Sequence, residues 1–343
     1  MPYKDKVLIP IVFWGDEFLQ IFQNIFYPNL KKEFKFLERT KIEFQLWTTK
    51  KIKRIINNDL IKLKNLTNTI IEIDELLNKN EYSSKYEILL YIQKKILSKA
   101  KNYKKILFLY PDFIWKEKSI SNLLKIKKKI VNIYCPQINI ENYLLEKKPI
   151  KYLENFIAEN LHNIVKDTII CSKSTFMTAA TNLLKLKKNG YIFKNFHVHP
   201  VMFNNPDFSD VNFRISLDED LYCNYTTKNR IKLNDIYYQK NSSKFLFASL
   251  EKKENLINSK TQPVTVKKIA EWVTNYCSDK HIENSKNCFF LNHKYDKSKM
   301  IKFNKYFDKI YKVLKNNSKI PNNNNYAKKN ITHYLLRRIY FLR

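Results

Sequence analysis

A chain of 343 residues that is 44% hydrophobic and 14% aromatic carries enough apolar side chain to close one large core or two smaller ones, which excludes a disordered polymer. The net charge of +31 suggests an anionic partner, yet Lys, Asn and Ile dominate even loops such as residues 125–129 and 322–325, a pattern that AT-rich codon bias produces. Without a dense basic block or a zinc-finger, RRM or KH signature, nucleic acid is not the leading partner, and two glycines, Gly15 and Gly190, cannot write a Walker loop or a dinucleotide fingerprint.

In chain order, residues 6–14 (KVLIPIVFW) read as a first strand, ending at Gly15 and the acidic pair Asp16 and Glu17. Phe18, Ile21, Phe22, Ile25 and Phe26 then recur at helical spacing, with Asp16 at the helix N-terminus, where negative charge is favoured. Residues 42–49 (IEFQLWTT) form the next strand, and this β-α-β opening favours a parallel sheet with helical crossovers. Residues 52–66 read as a helix and 69–73 as a short strand. Ser84 and Glu87 make an S-x-x-E capping box before a helix to about residue 101 that carries Leu89, Leu90, Ile96 and Leu97.

That helix leads into residues 105–115, KILFLYPDFIW, read as a buried strand running into Pro111 and Asp112. Open α/β sheets bind ligands beyond the carboxyl ends of their strands, so Asp112 is a candidate for site chemistry, the alternative being a cap on the next turn. Residues 119–128 follow as a helix, 130–135 as a strand closed by Pro136, and 153–165 as a helix with His162 packing beside its apolar face. Residues 168–171 are short and apolar, and 174–186 read as a helix.

Residues 189–222 are dense in groups suited to a site. If residues 192–201 are extended, His197 and His199 point to one face. With Asp207, Asp210, Asp218, Glu219 and Asp220 they can form a divalent metal site or an anion-binding pair, the alternative being an edge strand with polar turns. Residues 235–239 and 245–250 read as weaker strands around a polar turn, Val266 to Cys277 as an amphipathic helix, and 287–293 as a segment that could return His293 towards the site.

Residues 300–314 read as the last helix of the globular part and 315–330 as an Asn- and Lys-rich linker. In residues 331–343 a helix would put Ile331, Leu335, Ile339 and Leu342 on one side and His333, Arg337 and Arg338 on another. That pattern suits docking on the core, on a sister subunit or at a membrane surface. The five cysteines lack any paired spacing, residues 1–14 lack a signal-peptide pattern, and no run spans a bilayer. A cytoplasmic protein is therefore expected, with peripheral attachment at the inner face of the membrane as the second expectation.

FLYPDFIW resembles the FLDADIIV type of segment in GT-A glycosyltransferases, in which a strand ends in a D-x-D pair that holds a divalent ion on a nucleotide-sugar diphosphate. Asp112 matches the second acid, and Tyr110 stands at the first. NFHVHPVMFNNPDF looks like the F-H-L-H-P-L stretch of bacterial glycosyltransferase-like proteins, and the two likenesses together cover roughly residues 6–295.

The resemblance implies an α/β fold: a Rossmann-like, GT-A-type, mostly parallel central sheet flanked by helices, with a C-terminal helical extension. It implies one domain over residues 1–314, with a nucleotide half to about 135 and an acceptor half from about 136. The implied reaction is hexosyl transfer from a nucleotide-sugar donor to a hydroxyl of a glycan or lipid-linked acceptor, in cell-surface glycan synthesis, with Mn2+ or Mg2+ as cofactor.

In that scheme Asp112, His197 and His199 hold the metal, Asp16 and Glu17 join Asp112 at the donor, and Asp218 and Asp220 are the catalytic carboxylates. Two other classes compete. One is a non-catalytic basic protein binding anionic membrane or nucleic acid, and the other a His/Asp metal-dependent hydrolase.

Overall fold

The computed structural model describes residues 5–56, 60, 65–78, 85–139, 153–155, 157, 170–172, 181–185, 190–194, 196, 200–208, 225–226, 228–251, 265–267, 270, 273–274, 279–291 and 297–316. The chain divides into two compact units. The first comprises Met1–Ile133, His199–Tyr237 and Phe247–Ser249, and the second Tyr134–Val198, Tyr238–Leu246 and Leu250–Arg343.

The first unit begins with β1 (Val7–Val12), α1 (Asp16–Ile21), a π-helical turn (Phe22–Phe26), α2 (Tyr27–Phe34) and β2 (Ile42–Thr48). The extra residue of the π turn brings Tyr27 beneath Phe22, their rings stacked at 5.3 Å, and Phe22 also stacks on Phe13 at 4.9 Å. Then come α3 (Lys50–Ile56), β3 (Leu66–Glu72), α4 (Asp74–Asn78), α5 (Lys85–Ser98), β4 (Lys105–Leu107), β5 (Phe113–Trp115), α6 (Ser119–Leu124) and β6 (Ile130–Asn132).

The second unit contributes β7 (Gln137–Asn139), β8 (Ile170–Ser172), β9 (Thr181–Lys185) and β10 (Tyr191–Lys194). The chain returns to the first unit with β11 (Pro200–Asn204), β12 (Ile236–Tyr238) and the start of β13 (Phe247–Glu251).

Seven strands form the central sheet of the first unit in the order β12-β6-β11-β4-β1-β2-β3. β1 pairs parallel with β2 and β4, and β2 with β3, while β11 runs antiparallel to β4 and β6. This is the Rossmann-like, mostly parallel α/β sheet expected from the sequence. β1 and β2 are near-continuous buried runs, as strands covered on both faces must be. Two of the polar residues in β2 pair with each other, Gln45 Nε2 donating to Glu43 Oε1 at 2.8 Å.

In the second unit β14 (Phe289–Leu291) completes a four-stranded antiparallel sheet, ordered β14-β10-β9-β8. Against Ile192 and Phe196 lie Ala270, Val273 and the apolar face of the C-terminal helix of the described residues, Phe303, Phe307 and Ile310. We label that helix α8 (Lys297–Asn316), and the shorter helix before β14 α7 (Asp279–Ser285). No helix among the described residues is long and apolar enough to cross a membrane.

Four sequence expectations need correction. Of the helix expected over residues 52–66 the described residues show α3 as far as Ile56, and Leu66 already belongs to β3, which pairs with β2 over its whole length. Within the helix expected over 174–186, Thr181–Lys185 form β9, held between β8 and β10, so sheet pairing overrides local helix propensity there. The single strand expected over 192–201 is two strands, β10 and β11, in different sheets, with Phe196 in a bend. The continuous strand expected over 105–115 breaks after Leu107 and resumes as β5, which pairs with β13.

Candidate functional site

The break after Leu107 has its cause in the neighbouring strand. In β1 the odd-numbered amides face β2, as Val7 N–H to the Lys41 carbonyl at 2.9 Å and Phe13 N–H to the Trp47 carbonyl at 3.1 Å show. Even-numbered amides therefore face β4, and at residue 10 that position is Pro10, which has no N–H. The ladder between β1 and β4 covers Val7 with Lys105 and Leu8 with Ile106 and extends no further. Beyond it Phe108 turns its N–H to the Val201 carbonyl at 2.8 Å, on the side of β11.

The two strand ends consequently part, and a cavity of about 260 Å³ opens between them and α5. β1 and β4 are also the pair at which the strand order reverses, since the chain runs outward through β2 and β3 and then returns to the other side of β1. The carboxyl ends of strands at such a point are where open α/β sheets place ligands.

Gly15 shapes the rim. Its backbone sits at φ +88°, ψ 152°, a region that only glycine occupies without strain, and its carbonyl accepts the Leu19 N–H at 3.1 Å to start α1. Trp14 before it and Phe18 after it both line the cavity, with Tyr110, Phe13 and Phe108 supplying further rings. Leu89, Gln93 and Ile96, spaced along one face of α5, form the opposite wall.

Among the described residues Asp112 is the one carboxylate in the cavity lining. A turn closed by Phe113 N–H to the Tyr110 carbonyl at 3.0 Å carries it, and the side chain is half-buried. Its Oδ2 accepts the Ser249 hydroxyl at 2.7 Å, a contact that follows from the register of β5 and β13, which sets Phe113 opposite Ser249. Asp112 thus sits in a turn and lines the crevice.

The other sequence candidates are placed differently. Asp16 and Glu17 are exposed in the first turn of α1 and do not line the cavity, although Trp14 and Phe18 do. Asp16 meets Lys51 at 2.8 Å, a solvent-exposed pair of small energetic consequence. Asp207 is exposed just after β11. His197, His199, Asp210, Asp218, Glu219, Asp220, His293 and residues 331–343 lie outside the described residues.

Among the described residues no group of three or more His, Cys, Asp or Glu side chains could hold a metal ion. The D-x-D position occupied by Tyr110 offers a ring, packed edge-on against Phe113 at 5.1 Å, where a metal would want a carboxylate. The described residues therefore do not by themselves make a metal centre.

Sequence reasoning passed over Trp14, Phe18 and Gln93. The available signals were two aromatics bracketing a glycine at a strand end, and a lone amide on the apolar face of a helix.

No protein-family model and no curated protein matches the sequence. Among solved structures the chain is similar to S. aureus TarS, with 13% identity and a TM-score of 0.38, covering 79% of this chain and 66% of that one. It is similar also to TarS in complex with UDP-GlcNAc, with 12% identity and a TM-score of 0.40, covering 79% of this chain and 64% of that one. The bifunctional glycosyltransferase WbbM shares 10% identity at a TM-score of 0.36, over 70% of this chain and 40% of its own. The chain thus spans slightly less than two thirds of the TarS structures, and likeness at these TM-scores decides nothing about activity.

Proposed function

We propose that this chain is a glycosyltransferase of the hexosyltransferase type that seats a nucleotide-sugar donor in the crevice at the carboxyl ends of β1 and β4. The observation that supports this reading is the aromatic cavity at the strand-order reversal, with Asp112 on its lining. Its volume of about 260 Å³ falls just below the roughly 300–1,000 Å³ of pockets that enclose a whole drug-sized ligand, so it suits one flat ring of the donor. The base would stack among Trp14, Phe18 and Tyr110, and the ribose and diphosphate would extend along the rim past Asp112.

Asp112, ordered by the Ser249 hydroxyl, is placed to accept hydrogen bonds from donor hydroxyls. In the transfer itself an acceptor hydroxyl oxygen bonds to the anomeric carbon, the bond from that carbon to the diphosphate oxygen breaks, and the hydroxyl proton passes to a carboxylate base. Charge collecting on the departing diphosphate calls for basic side chains. We assign the base to Asp218 or Asp220 and the diphosphate contacts to His197 and His199, on the sequence pattern alone. Mn2+ or Mg2+ would need ligands beyond Asp112. A glycan or lipid-linked acceptor in cell-surface glycan synthesis fits this reading.

Calorimetric titration with UDP, GDP and CMP sugars, with and without manganese, tests it. One donor class is expected to bind, and Trp14→Ala is expected to weaken that binding by about tenfold, since stacking of a base on an aromatic ring contributes roughly 1–3 kcal/mol. Binding of no donor contradicts the proposal.

A further inference from the structure

In the second unit, Lys194 is the one lysine among the described residues that is buried, 5% exposed. Codon bias accounts for lysines on a surface, but not for one in a core, where Leu or Met would fill the place without the cost of desolvating an amine. The register of β10 and β14, with Phe193 opposite Phe289, makes Lys194 and Cys288 the next facing pair, and their side chains are hydrogen-bonded. The ring of Phe307 in α8 lies over the amine, its centroid 4.8 Å from Lys194 Nζ. Lys194 makes no ion pair among the described residues, and Asp308 attracts it from beyond ion-pair distance.

We propose that Lys194 and Cys288 form an oxidation site, at which hydrogen peroxide drives a sulfenamide bond between Sγ and Nζ that ties β10 to the start of β14. The site stands apart from the crevice and does not depend on the glycosyltransferase reading. Burial holds the amine below its usual range and the thiol above its own, so both shifts favour the uncharged pair, an amine beside a thiol. An amine in that form is a nucleophile, which the ammonium of a surface lysine is not. Cys288 is only partly buried, so a molecule as small as peroxide reaches its sulfur.

Passing the thiol proton to Lys194 gives the thiolate, which attacks peroxide; an S–O bond forms, the O–O bond breaks, and the departing hydroxide takes the proton back as water. Sulfur is oxidised by two electrons and peroxide is reduced by the same two. The freed amine then attacks the sulfur, an S–N bond forms, the sulfenic S–O bond breaks, and a second water carries away one amine proton. The sum is one thiol, one amine and one peroxide giving one S–N bond and two waters. A sulfenic acid with no such neighbour is open to further oxidation to sulfinic acid, which thiols do not reverse.

The test is exposure of the full chain to hydrogen peroxide, digestion without added thiol, and mass spectrometry of the peptides. A cross-linked pair joining Lys194 to Cys288 is expected, lighter by two hydrogen atoms than its two peptides together and lost on treatment with dithiothreitol. Reading the cross-link in the wild type keeps the test independent of how any variant folds. Lys194→Arg keeps the cation and removes the condensing amine, so the cross-link is expected to vanish and Cys288 to become reactive towards dimedone, which traps sulfenic acids. Recovery of wild-type Cys288 as free thiol, sulfinic acid or a disulfide with no cross-link to Lys194 overturns the inference. A cross-link from Cys288 that persists in Lys194→Arg does the same.

Discussion

Asp112→Asn is expected to lower sugar transfer by about 10²-fold, a hydrogen bond to a charged group being worth up to about 3 kcal/mol. The substitution keeps the size of the side chain, and its amide oxygen can still accept the Ser249 hydroxyl. The turn is also retained, because Phe113 N–H to the Tyr110 carbonyl is a backbone bond. What disappears is the negative charge facing the crevice. Ser249→Ala leaves that charge and removes only its tether, so a smaller loss is expected, about tenfold. Steady-state transfer assays of both variants check the ordering. Activity of Asp112→Asn within threefold of the wild type contradicts the role given to this carboxylate.

The second large effect lies away from the site, at Glu33 in α2. This residue is 1% exposed; its Oε2 accepts the Ser121 N–H at 3.2 Å, at the start of α6, and its Oε1 has no partner among the described residues. Burial pushes the carboxyl up to about 7 from its usual 4.5, and the backbone amides of residues 118–121 pull it down without offsetting that rise.

The native state therefore holds a proton between those two values that the unfolded chain releases. Stability from this group is full below pH 4.5, falls as pH rises towards 7 and is flat above it, a loss of about 3 kcal/mol. Glu33→Gln removes the ionisation while keeping an oxygen for the Ser121 amide. Its melting temperature by circular dichroism is expected to exceed that of the wild type by several degrees at pH 8 and to match it at pH 5. An equal shift at both pH values contradicts the account.

Much of the first unit was legible in the sequence because parallel strands buried on both faces leave continuous apolar runs. Residues 6–14 and 42–49, separated by a helical pattern, announced β1, α1 and β2 in the correct order. Asp112 was recognisable by its place after a buried run and a proline. The crevice beside it was not, because it arises from a pairing that local pattern does not reveal: Pro10 in β1 withholds an amide from β4, about 95 residues further along.

Thr181–Lys185 was misread for a related reason, since a strand that owes its conformation to two neighbours carries little signal of its own. The stretch from Ile192 to Val201 alternates well enough to suggest one strand, and only the topology assigns its ends to separate sheets. Gln93 was hidden because a single amide within a 14-residue amphipathic helix has no periodicity to stand out from.

The most direct test of the nucleotide crevice is photo-affinity labelling of the full chain with an azido-substituted uridine diphosphate, followed by peptide mapping. Saturable label competed by UDP is expected on peptides that contain Trp14, Gln93 or Tyr110. Saturable, UDP-competed label confined to other peptides contradicts the account.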